Sequence, residues 1–174
     1  MIKIYTDGSC RGNGTTSSSG GWGVVIFRDE DNQYFCEQWA GDYSDNTTNN
    51  REELKAMQYA IMLTCLDAYN QKQCHIYSDS AYVVNMCNDW IWTWARNGWT
   101  RSGGKAIENL DLVKNIYNLL TSSMHNFVIK KIKGHAGDIG NELADAIATN
   151  NEAKIAKIME EHKELFPEEP PVDF

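Results

Sequence analysis

The chain has 174 residues, 42% of them hydrophobic, which suits one folded domain with a core of its own. No stretch approaches the roughly 18 consecutive apolar residues of a membrane span, and the polar start of the chain is unlike a signal peptide. We therefore expect a cytoplasmic protein that does not contact membranes. Five cysteines without CxxC spacing predict neither a disulfide framework nor a zinc site.

The formal net charge of −8 argues against a protein that holds nucleic acid by bulk electrostatic attraction. From residue 152 onward seven acids face three lysines, a net of −4 (3 minus 7), so half of the excess lies near the C-terminus. We expect residues 1–152 to form the working domain. Residues 153–174 are predicted to form a helix extension that ends in a solvated acidic tail.

The first predicted strand ends in a carboxylate, Asp7, which lies next to a predicted turn. Ile2, Ile4 and Thr6 lie on one of its faces and Asp7 lies on the other, because successive side chains of a strand point to opposite sides. The strand is expected to stop at Gly8, where small and turn-forming residues begin. A carboxylate in this position either binds a metal ion or caps the turn.

Two further runs rich in β-branched and aromatic residues, 22–28 and 33–39, predict an antiparallel meander with the first strand. Residues 47–50 are good helix caps, and they precede an amphipathic helical pattern over residues 51–63. Glu53 lies in the first turn of that helix. It is either a ligand or an acid that the helix dipole favours.

Residues 74–80 repeat the opening pattern, because a short apolar strand again ends in an acid, Asp79. A strand that follows a crossover helix pairs in parallel with its neighbour. Sites in such sheets form beyond the carboxyl ends of the strands. We therefore expect Asp7 and Asp79 to lie at the same edge of a partly parallel sheet.

Residues 90–105 hold four of the six tryptophans together with Arg96, Arg101 and Lys105. Aromatic surface interleaved with cations suits stacking on bases and contact with a nucleic-acid backbone. The alternative is a small helical hairpin that uses tryptophan as its local core. The two interpretations are compatible.

The last third of the chain reads as a helix over residues 107–120, a strand over residues 127–132 and a glycine turn that contains His135. His135 is either an ordinary loop residue or part of a site beside it. The final helix carries Asp145 and is expected to continue without a break through Ile155 and Met159.

The predicted elements place acids at two strand ends and on two helical segments that can face one cavity. Four carboxylates held together repel one another, which raises their proton affinity unless cations intervene. Mg²⁺ relieves that repulsion, because it takes hard oxygen ligands and keeps waters that can react.

Four segments together resemble type I ribonuclease H, namely residues 5–13, 48–54, 77–83 and 134–145. Their order and spacing are more specific than any single motif among them. The resemblance implies an α/β fold of the ribonuclease H-like type, with the element order β-β-β-α-β-α-α-α-β-α. Its five-stranded mixed sheet has three antiparallel strands followed by two parallel ones and is flanked by helices.

The resemblance also implies an endoribonuclease that hydrolyses the RNA strand of RNA/DNA hybrids and leaves 5′-phosphate and 3′-hydroxyl products. Two Mg²⁺ ions, for which Mn²⁺ can substitute, would activate the water and stabilise the leaving oxygen. The four metal-binding carboxylates of the family match Asp7, Glu53, Asp79 and Asp145. Glu53 matches rather than Glu52, and His135 matches a histidine that assists proton movement or product departure.

Substrate contacts of the family match, in the same way, Cys10, Gly12, Asn13, Thr48, Asn49, Trp90, Trp94 and Arg96. The tryptophan-rich segment, residues 90–105, matches the family's basic handle and is called the handle below. Because the handle has only three basic residues and a Gly103-Gly104 pair, we expect weak hybrid binding with a shallow salt dependence.

Two other functions remain open at this point: a catalytically silent hybrid-binding module, and a nuclease of the same fold that cuts another duplex. The set of four acids disfavours a pure binder, since clustered negative charge repels phosphates. We expect a monomer. Residues 162–166 also resemble a sliding-clamp peptide, with His162 in the place of the usual glutamine, which predicts a possible contact with a clamp.

Overall fold

The computed structural model describes residues 1–31, 33–122, 126–166 and 172–173. In chain order its strands are β1 (Ile2–Arg11), β2 (Ser19–Glu30), β3 (Gln33–Asp45), β4 (Cys74–Ser78), β5 (Thr100–Arg101), β6 (Lys105–Ala106), β7 (Phe127–Lys131) and β8 (Val172–Asp173). Its α-helices are α1 (Asn49–Thr64), α2 (Ala81–Asn85), α3 (Ile91–Arg96), α4 (Leu110–Ser122), α5 (Ile139–Ala148) and α6 (Glu152–Glu161). A π-helical turn, Met86–Trp90, joins α2 to α3, and short 3₁₀ turns lie at Ser102–Gly104 and Lys163–Leu165.

The main sheet has the strand order β7-β4-β1-β2-β3-β8. β1, β2 and β3 pair antiparallel, whereas β4 pairs in parallel with both β1 and β7. This confirms the predicted mixed sheet of three antiparallel strands followed by two parallel ones. The two-residue strand β8 adds a parallel pair at the outer edge of β3, and β5 and β6 form a separate small hairpin within the handle.

The sheet separates two hydrophobic clusters, because alternate side chains of β1 point to opposite faces. Ile2 and Ile4 face the larger cluster, which also contains buried residues of α1 and α4. Tyr5 faces the second cluster, to which α5 contributes Leu143 and α6 contributes Ile158. The helices thus cover both faces of the central strands and hold β1 rigidly between them.

β1 does not stop at Asp7, as the sequence predicted. It continues to Arg11 because its antiparallel partner β2 pairs with it up to Ser19. The parallel ladder between β1 and β4 does stop there, and its last pair is Thr6 with Ser78. Asp7 therefore lies within β1 but just beyond the end of the parallel ladder, next to the residue that follows β4.

The prediction of one continuous last helix is wrong. α5 ends at Ala148, Asn150 has a left-handed φ of 51°, and the side chain of Asn151 caps α6 by accepting a hydrogen bond from the Lys154 backbone N–H at 3.0 Å. Asparagine tolerates the left-handed region and is a favoured helix cap, so this pair of residues ends one helix and begins the next. Consequently α6 turns back onto the second cluster.

The predicted helix at residues 107–120 begins three residues late, at Leu110, after Asn109 with a φ of 55°. Ile107 is buried all the same, as part of the larger cluster. Across the described ranges, the longest helices lack the length and apolar character needed to cross a bilayer.

Candidate active site

Three carboxylates meet just beyond the end of the parallel ladder. One oxygen from each of Asp7, Glu53 and Asp79 lies within 4.8 Å of the others. Asp7 and Glu53 are only 7% and 8% exposed. Strand β1 contributes Asp7, helix α1 contributes Glu53, and Asp79 is the residue that follows β4. We call these three residues the inner group.

Gly8 allows α1 to approach β1 closely enough to complete the inner group. A Cβ built at Gly8 would overlap the backbone of Glu52 and Glu53, so only glycine fits between the strand and the helix. Thr48 caps the helix at this point, because its hydroxyl accepts a hydrogen bond from the Arg51 backbone N–H at 3.2 Å. The position of Glu53 beside Asp7 therefore follows from a strand glycine and a helix cap.

The structure separates the roles of Glu52 and Glu53, which are adjacent in sequence. Glu52 is fully buried, and its Oε1 accepts hydrogen bonds from the Thr47 hydroxyl at 2.5 Å and the Lys55 ammonium at 2.7 Å. Glu53 belongs to the inner group. Oε2 is buried without a hydrogen-bond partner among the described residues in both glutamates, but Glu52 pairs with Lys55 through its other oxygen, whereas Glu53 lies beside two further carboxylates. A buried carboxylate oxygen without a donor is costly, and a cation beside it would remove that cost.

The inner group is electrostatically strained without a cation. Burial, followed by the charges of Asp79 and Asp145, raises the pKa of Asp7 to about 8. Burial and the charges of Asp7 and Asp79 also raise the pKa of Glu53 well above its ordinary value. Buried carboxylates that face one another behave in this way because each disfavours ionisation of the next.

The donor set fits a hard divalent cation. It offers only carboxylate oxygens, the ligands that Mg²⁺ and Mn²⁺ prefer, and at least one of those oxygens is unpaired. The orphaned Oε2 of Glu53 and the raised pKa of Asp7 are both the local signs of a missing positive charge.

Asp145 is not among the carboxylates whose oxygens lie within 4.8 Å of one another in the inner group. It belongs to a second group, in which ligand atoms of His135, Glu142 and Asp145 lie within 4.8 Å of one another. We call these three residues the outer group. The side chain of His135 is 75% exposed, and its Nδ1 lies 3.9 Å from Glu142 Oε1. The two groups interact, since the Asp145 charge contributes to the raised pKa of Asp7.

A lysine from α6 occupies the outer group. The Nζ of Lys154 donates to Asp145 Oδ2 at 2.6 Å and lies 2.8 Å from Glu142 Oε2. Burial alone would lower the pKa of Lys154, but its hydrogen bonds with Asp145 and Glu142 and their charges outweigh burial and raise that pKa. The outer carboxylates thus already have a positive partner, unlike those of the inner group.

Contacts from α5 and the preceding loop hold Asp79 in place. The buried side chain of Asn141 donates from Nδ2 to Asp79 Oδ2 at 3.4 Å, and Asp138 caps α5 by accepting from the backbone N–H of Asn141 at 3.2 Å. Gly134 comes so close to Asp79 that a Cβ there would touch its carboxylate. The loop that carries His135 is therefore anchored next to the inner group.

The predicted substrate contacts near α1 are brought together. Asn13 Oδ1 accepts a hydrogen bond from the Asn49 backbone N–H at 3.2 Å, and the Cys10 thiol donates to the Thr47 carbonyl at 3.4 Å. Gly12 has a φ of 65°, which turns the loop after β1 back toward α1. These contacts hold the segment around Cys10, Gly12 and Asn13 against the residues at the start of α1, Thr48 and Asn49.

The handle forms a groove whose walls are both aromatic and basic. Trp90 and Trp94, with ring centroids 5.9 Å apart, line a cavity of about 620 Å³ together with Tyr82, Arg101 and Lys105. Such a surface can stack a base or a sugar and contact a phosphate at the same time.

The other two tryptophans of the handle contact α4, although Trp92 is 36% exposed and only Trp99 packs against the larger cluster. The rings of Trp92 and Trp99 meet Tyr117 of α4 edge-on, with centroids 5.7 Å and 5.1 Å from it. Trp90, Trp94 and Trp99 pack against the larger cluster, which confirms the local-core interpretation for these three, while contact with a nucleic acid stays a prediction. Arg96 is exposed at the end of α3 and lies outside the described lining of the groove.

Three residues near the carboxylates were not singled out from the sequence. The spacing of Asn141, Glu142 and Asp145 would have revealed the first two, because residues three and four apart share a helix face. Lys154 carries no such signal, since it reaches Asp145 only because the chain breaks at Asn150 and Asn151.

Known proteins share both the sequence and the fold. The sequence pattern of the RNase H family matches residues 1–153. A "Ribonuclease H" of Rickettsia bellii is 34% identical over 161 residues, which cover 91% of this chain and 93% of that protein. A "Ribonuclease H" of Chlorobium limicola is 38% identical over 149 residues, which cover 84% of this chain and 92% of that protein.

Among solved structures, the solution structure of the PFV RNase H domain superposes with a TM-score of 0.74 at 25% identity, covering 86% of this chain and 92% of that one. The foamy viral protease-reverse transcriptase in complex with RNA/DNA hybrid superposes with a TM-score of 0.73 at 25% identity, covering 86% of this chain and 19% of that one. Sequence and fold agree, and the chain belongs to the RNase H family.

Proposed function

We propose that this protein is a Mg²⁺-dependent endoribonuclease that hydrolyses the RNA strand of RNA/DNA hybrids. The observation that carries the proposal is the inner group, in which oxygens of Asp7, Glu53 and Asp79 lie within 4.8 Å of one another with Glu53 Oε2 unpaired. Nucleases of the RNase H family act on RNA/DNA hybrids and depend on divalent metal ions, and one of the structures similar to this chain was solved with such a hybrid.

Asp7, Glu53, Asp79 and Asp145 would hold the metal ions. Their oxygens and their net negative charge suit two divalent cations better than one, because the inner and outer groups are separate but adjacent. Bound there, the ions supply activation of the attacking water and stabilisation of the leaving 3′-oxygen, which gives 5′-phosphate and 3′-hydroxyl products.

The chain's own residues position the substrate and move protons. His135 is exposed beside the carboxylates, where its ring can take a proton from water or give one to a departing product. Backbone and side-chain groups around Cys10, Gly12, Asn13 and Asn49 would contact the RNA strand, whose 2′-hydroxyl distinguishes it from DNA. The contacts that hold the segment around Cys10, Gly12 and Asn13 against the start of α1 support this assignment.

Thr48, Trp90, Trp94 and Arg96 would contact the DNA strand. The groove lined by the two tryptophans supports a stacking role for them. The hydroxyl of Thr48 already accepts a hydrogen bond from a backbone N–H but keeps its own proton to donate to a phosphate.

Cleavage of a hybrid labelled on its RNA strand tests the proposal, with Mg²⁺ or EDTA and beside labelled RNA/RNA and DNA/DNA duplexes. We expect cleavage of hybrid RNA alone, complete loss in EDTA, and a loss of about 10³-fold in Asp7→Asn, the scale of removing a main electrostatic stabiliser. Asp67→Asn, an exposed acid outside the site, serves as the control and should cut normally.

The same experiment distinguishes the two competing functions. A folded protein that binds hybrid and cuts nothing would be a silent binding module. Cleavage of RNA/RNA or DNA/DNA in preference to the hybrid would agree with metal-dependent hydrolysis but would contradict the assignment of RNA/DNA hybrids as the substrate.

The remaining predictions concern the cell and partners: a cytoplasmic monomer, and a sliding-clamp contact through residues 162–166. Leu165 and Phe166 pack against the second hydrophobic cluster, and the Phe166 ring lies 6.4 Å from that of Trp39. A clamp would have to release both side chains from that cluster. Comparing clamp binding before and after deletion of residues 160–174 tests the contact.

A further inference from the structure

Lys154 lies among the carboxylates but has no part in the proposed function. It lies one residue beyond the family match, which ends at residue 153, and in the first turn of α6. Its ammonium lies 2.6 Å from Asp145 and 2.8 Å from Glu142, two of the three members of the outer group. It therefore stands where those three side chains would hold a cation.

The fold holds Lys154 in this place. The side chain of Asn151 caps α6 at the Lys154 backbone N–H, which fixes where the helix begins. Further along the helix, Ile155 and Ile158 pack against the second hydrophobic cluster, which fixes the face that α6 presents to α5. The Lys154 side chain is 28% exposed, so it is confined between the two helices and does not sample solvent freely.

An ammonium neutralises a carboxylate much as a metal ion does, but it offers donors only and cannot activate a water. With Lys154 in place, the outer carboxylates carry a net charge of −1 (−2 plus 1) rather than −2. A divalent cation entering beside Asp145 must either displace the ammonium or bind against its repulsion. Either event weakens metal binding on that side.

We infer that Lys154 is a built-in counter-cation that competes with a divalent metal ion for Asp145 and Glu142. It occupies the outer group in the metal-free protein and sets the metal concentration at which that group fills. The inner group has no such competitor among the described residues, so its ion binds first and the outer ion binds second. This inference rests on one part of the proposed function, the assignment of Asp145 as a metal ligand, and not on hybrid cleavage.

Titration of the full-length protein with Mn²⁺ alone, followed by the electron paramagnetic resonance signal of free Mn²⁺, tests the inference without nucleic acid. We expect Lys154→Met to bind its second Mn²⁺ about tenfold more tightly than wild type, since one unit of positive charge is lost beside the ion. Lys154→Arg keeps the charge and should stay close to wild type.

Lys157→Met is the matched control, because Lys157 lies on the same helix but is 71% exposed and pairs only with Glu161, at 3.7 Å, among the described residues. Its titration should coincide with that of wild type. Circular dichroism and thermal unfolding establish that each variant is folded, and Lys154→Gln provides a second neutral substitution if Lys154→Met is unfolded.

The inference fails if the neutral Lys154 variants bind Mn²⁺ as wild type does or more weakly, which would make Lys154 a structural ion pair only. Hybrid cleavage is measured separately on the same variants. Tighter Mn²⁺ binding without cleavage by any variant would overturn the proposed function and leave the inference standing. Normal hybrid cleavage by wild type together with unchanged Mn²⁺ binding in the Lys154 variants would overturn the inference and leave the proposed function standing.

Discussion

The inner and outer groups lie side by side but meet the problem of clustered negative charge in opposite ways. The inner group joins two strands of the sheet to α1, buries Asp7 and Glu53, and leaves a carboxylate oxygen of Glu53 without a partner among the described residues. The outer group joins α5 to the His135 loop, is partly open to solvent, and has Lys154 paired with both of its carboxylates. The comparison indicates that the inner carboxylates are prepared for a metal ion at the cost of stability, whereas the outer ones are stable without it.

The largest expected effect on stability comes from breaking the inner group through Gly8. In Gly8→Ala the new methyl group collides with the backbone of Glu52 and Glu53 and pushes α1 away from β1. We expect about 3 kcal/mol of lost stability, the scale of an overpacked core. Hybrid cleavage should fall about 10²-fold, because the Glu53 carboxylate moves away from its position beside Asp7.

Gly103→Ala is the control for Gly8→Ala. Gly103 has a φ of 75°, and no heavy atom of the described chain lies within 4 Å of a Cβ built there. This substitution introduces backbone strain without a steric collision. It should lower the free energy of unfolding by about 1 kcal/mol and leave Mn²⁺ binding unchanged. Equal losses of Mn²⁺ binding in the two variants would refute the steric explanation.

The next effect is a pH dependence of stability that arises in the inner group. The pKa of Asp7 rises from an ordinary 3.8 to about 8 on folding, so between these values the folded protein holds a proton that the unfolded chain has released. The metal-free protein should therefore lose stability as the pH rises from about 5 to about 8. Urea unfolding in EDTA at several pH values measures this.

Asp7→Asn should remove most of that slope and raise the stability of the metal-free protein at about pH 8 by about 2 kcal/mol. Saturating Mg²⁺ should reverse the order, because only wild type then gains the full binding free energy of the metal. A wild-type stability that increases with pH under metal-free conditions would be incompatible with the strained inner group.

The positions of the charged side chains in the inner and outer groups were only partly predictable from the sequence. Asp7, Glu53 and Asp79 could be placed together because each sits in a recognisable motif at the end of a ladder or the start of a helix. The length of β1 was mispredicted, since its continuation depends on pairing with β2 rather than on its own residues. Lys154 could not be found, because its contact depends on the direction in which α6 leaves a two-asparagine break.

The smallest expected effect concerns the handle, whose groove is lined by no member of either group among the described residues. With three basic residues, the slope of log binding constant against log salt should not exceed about 3 in magnitude. Removing Arg101 and Lys105, which line the groove, should lower that magnitude by about 2. Fluorescence anisotropy of a labelled hybrid in the Asp7→Asn background, at fixed Mg²⁺, provides the slopes. If the double variant still shows a steep salt dependence of binding, the main phosphate contacts lie outside the handle.

The break at Asn150 and Asn151 has a practical consequence for anyone who shortens this protein. A chain trimmed at the end of the family match, residue 153, would keep all four carboxylates and His135 but lose Lys154. It would also expose the part of the second cluster that Ile155 and Ile158 now cover. Since Lys154 is inferred to compete with a metal ion, we expect the trimmed protein to fill its outer group at a lower divalent metal concentration than the full-length one.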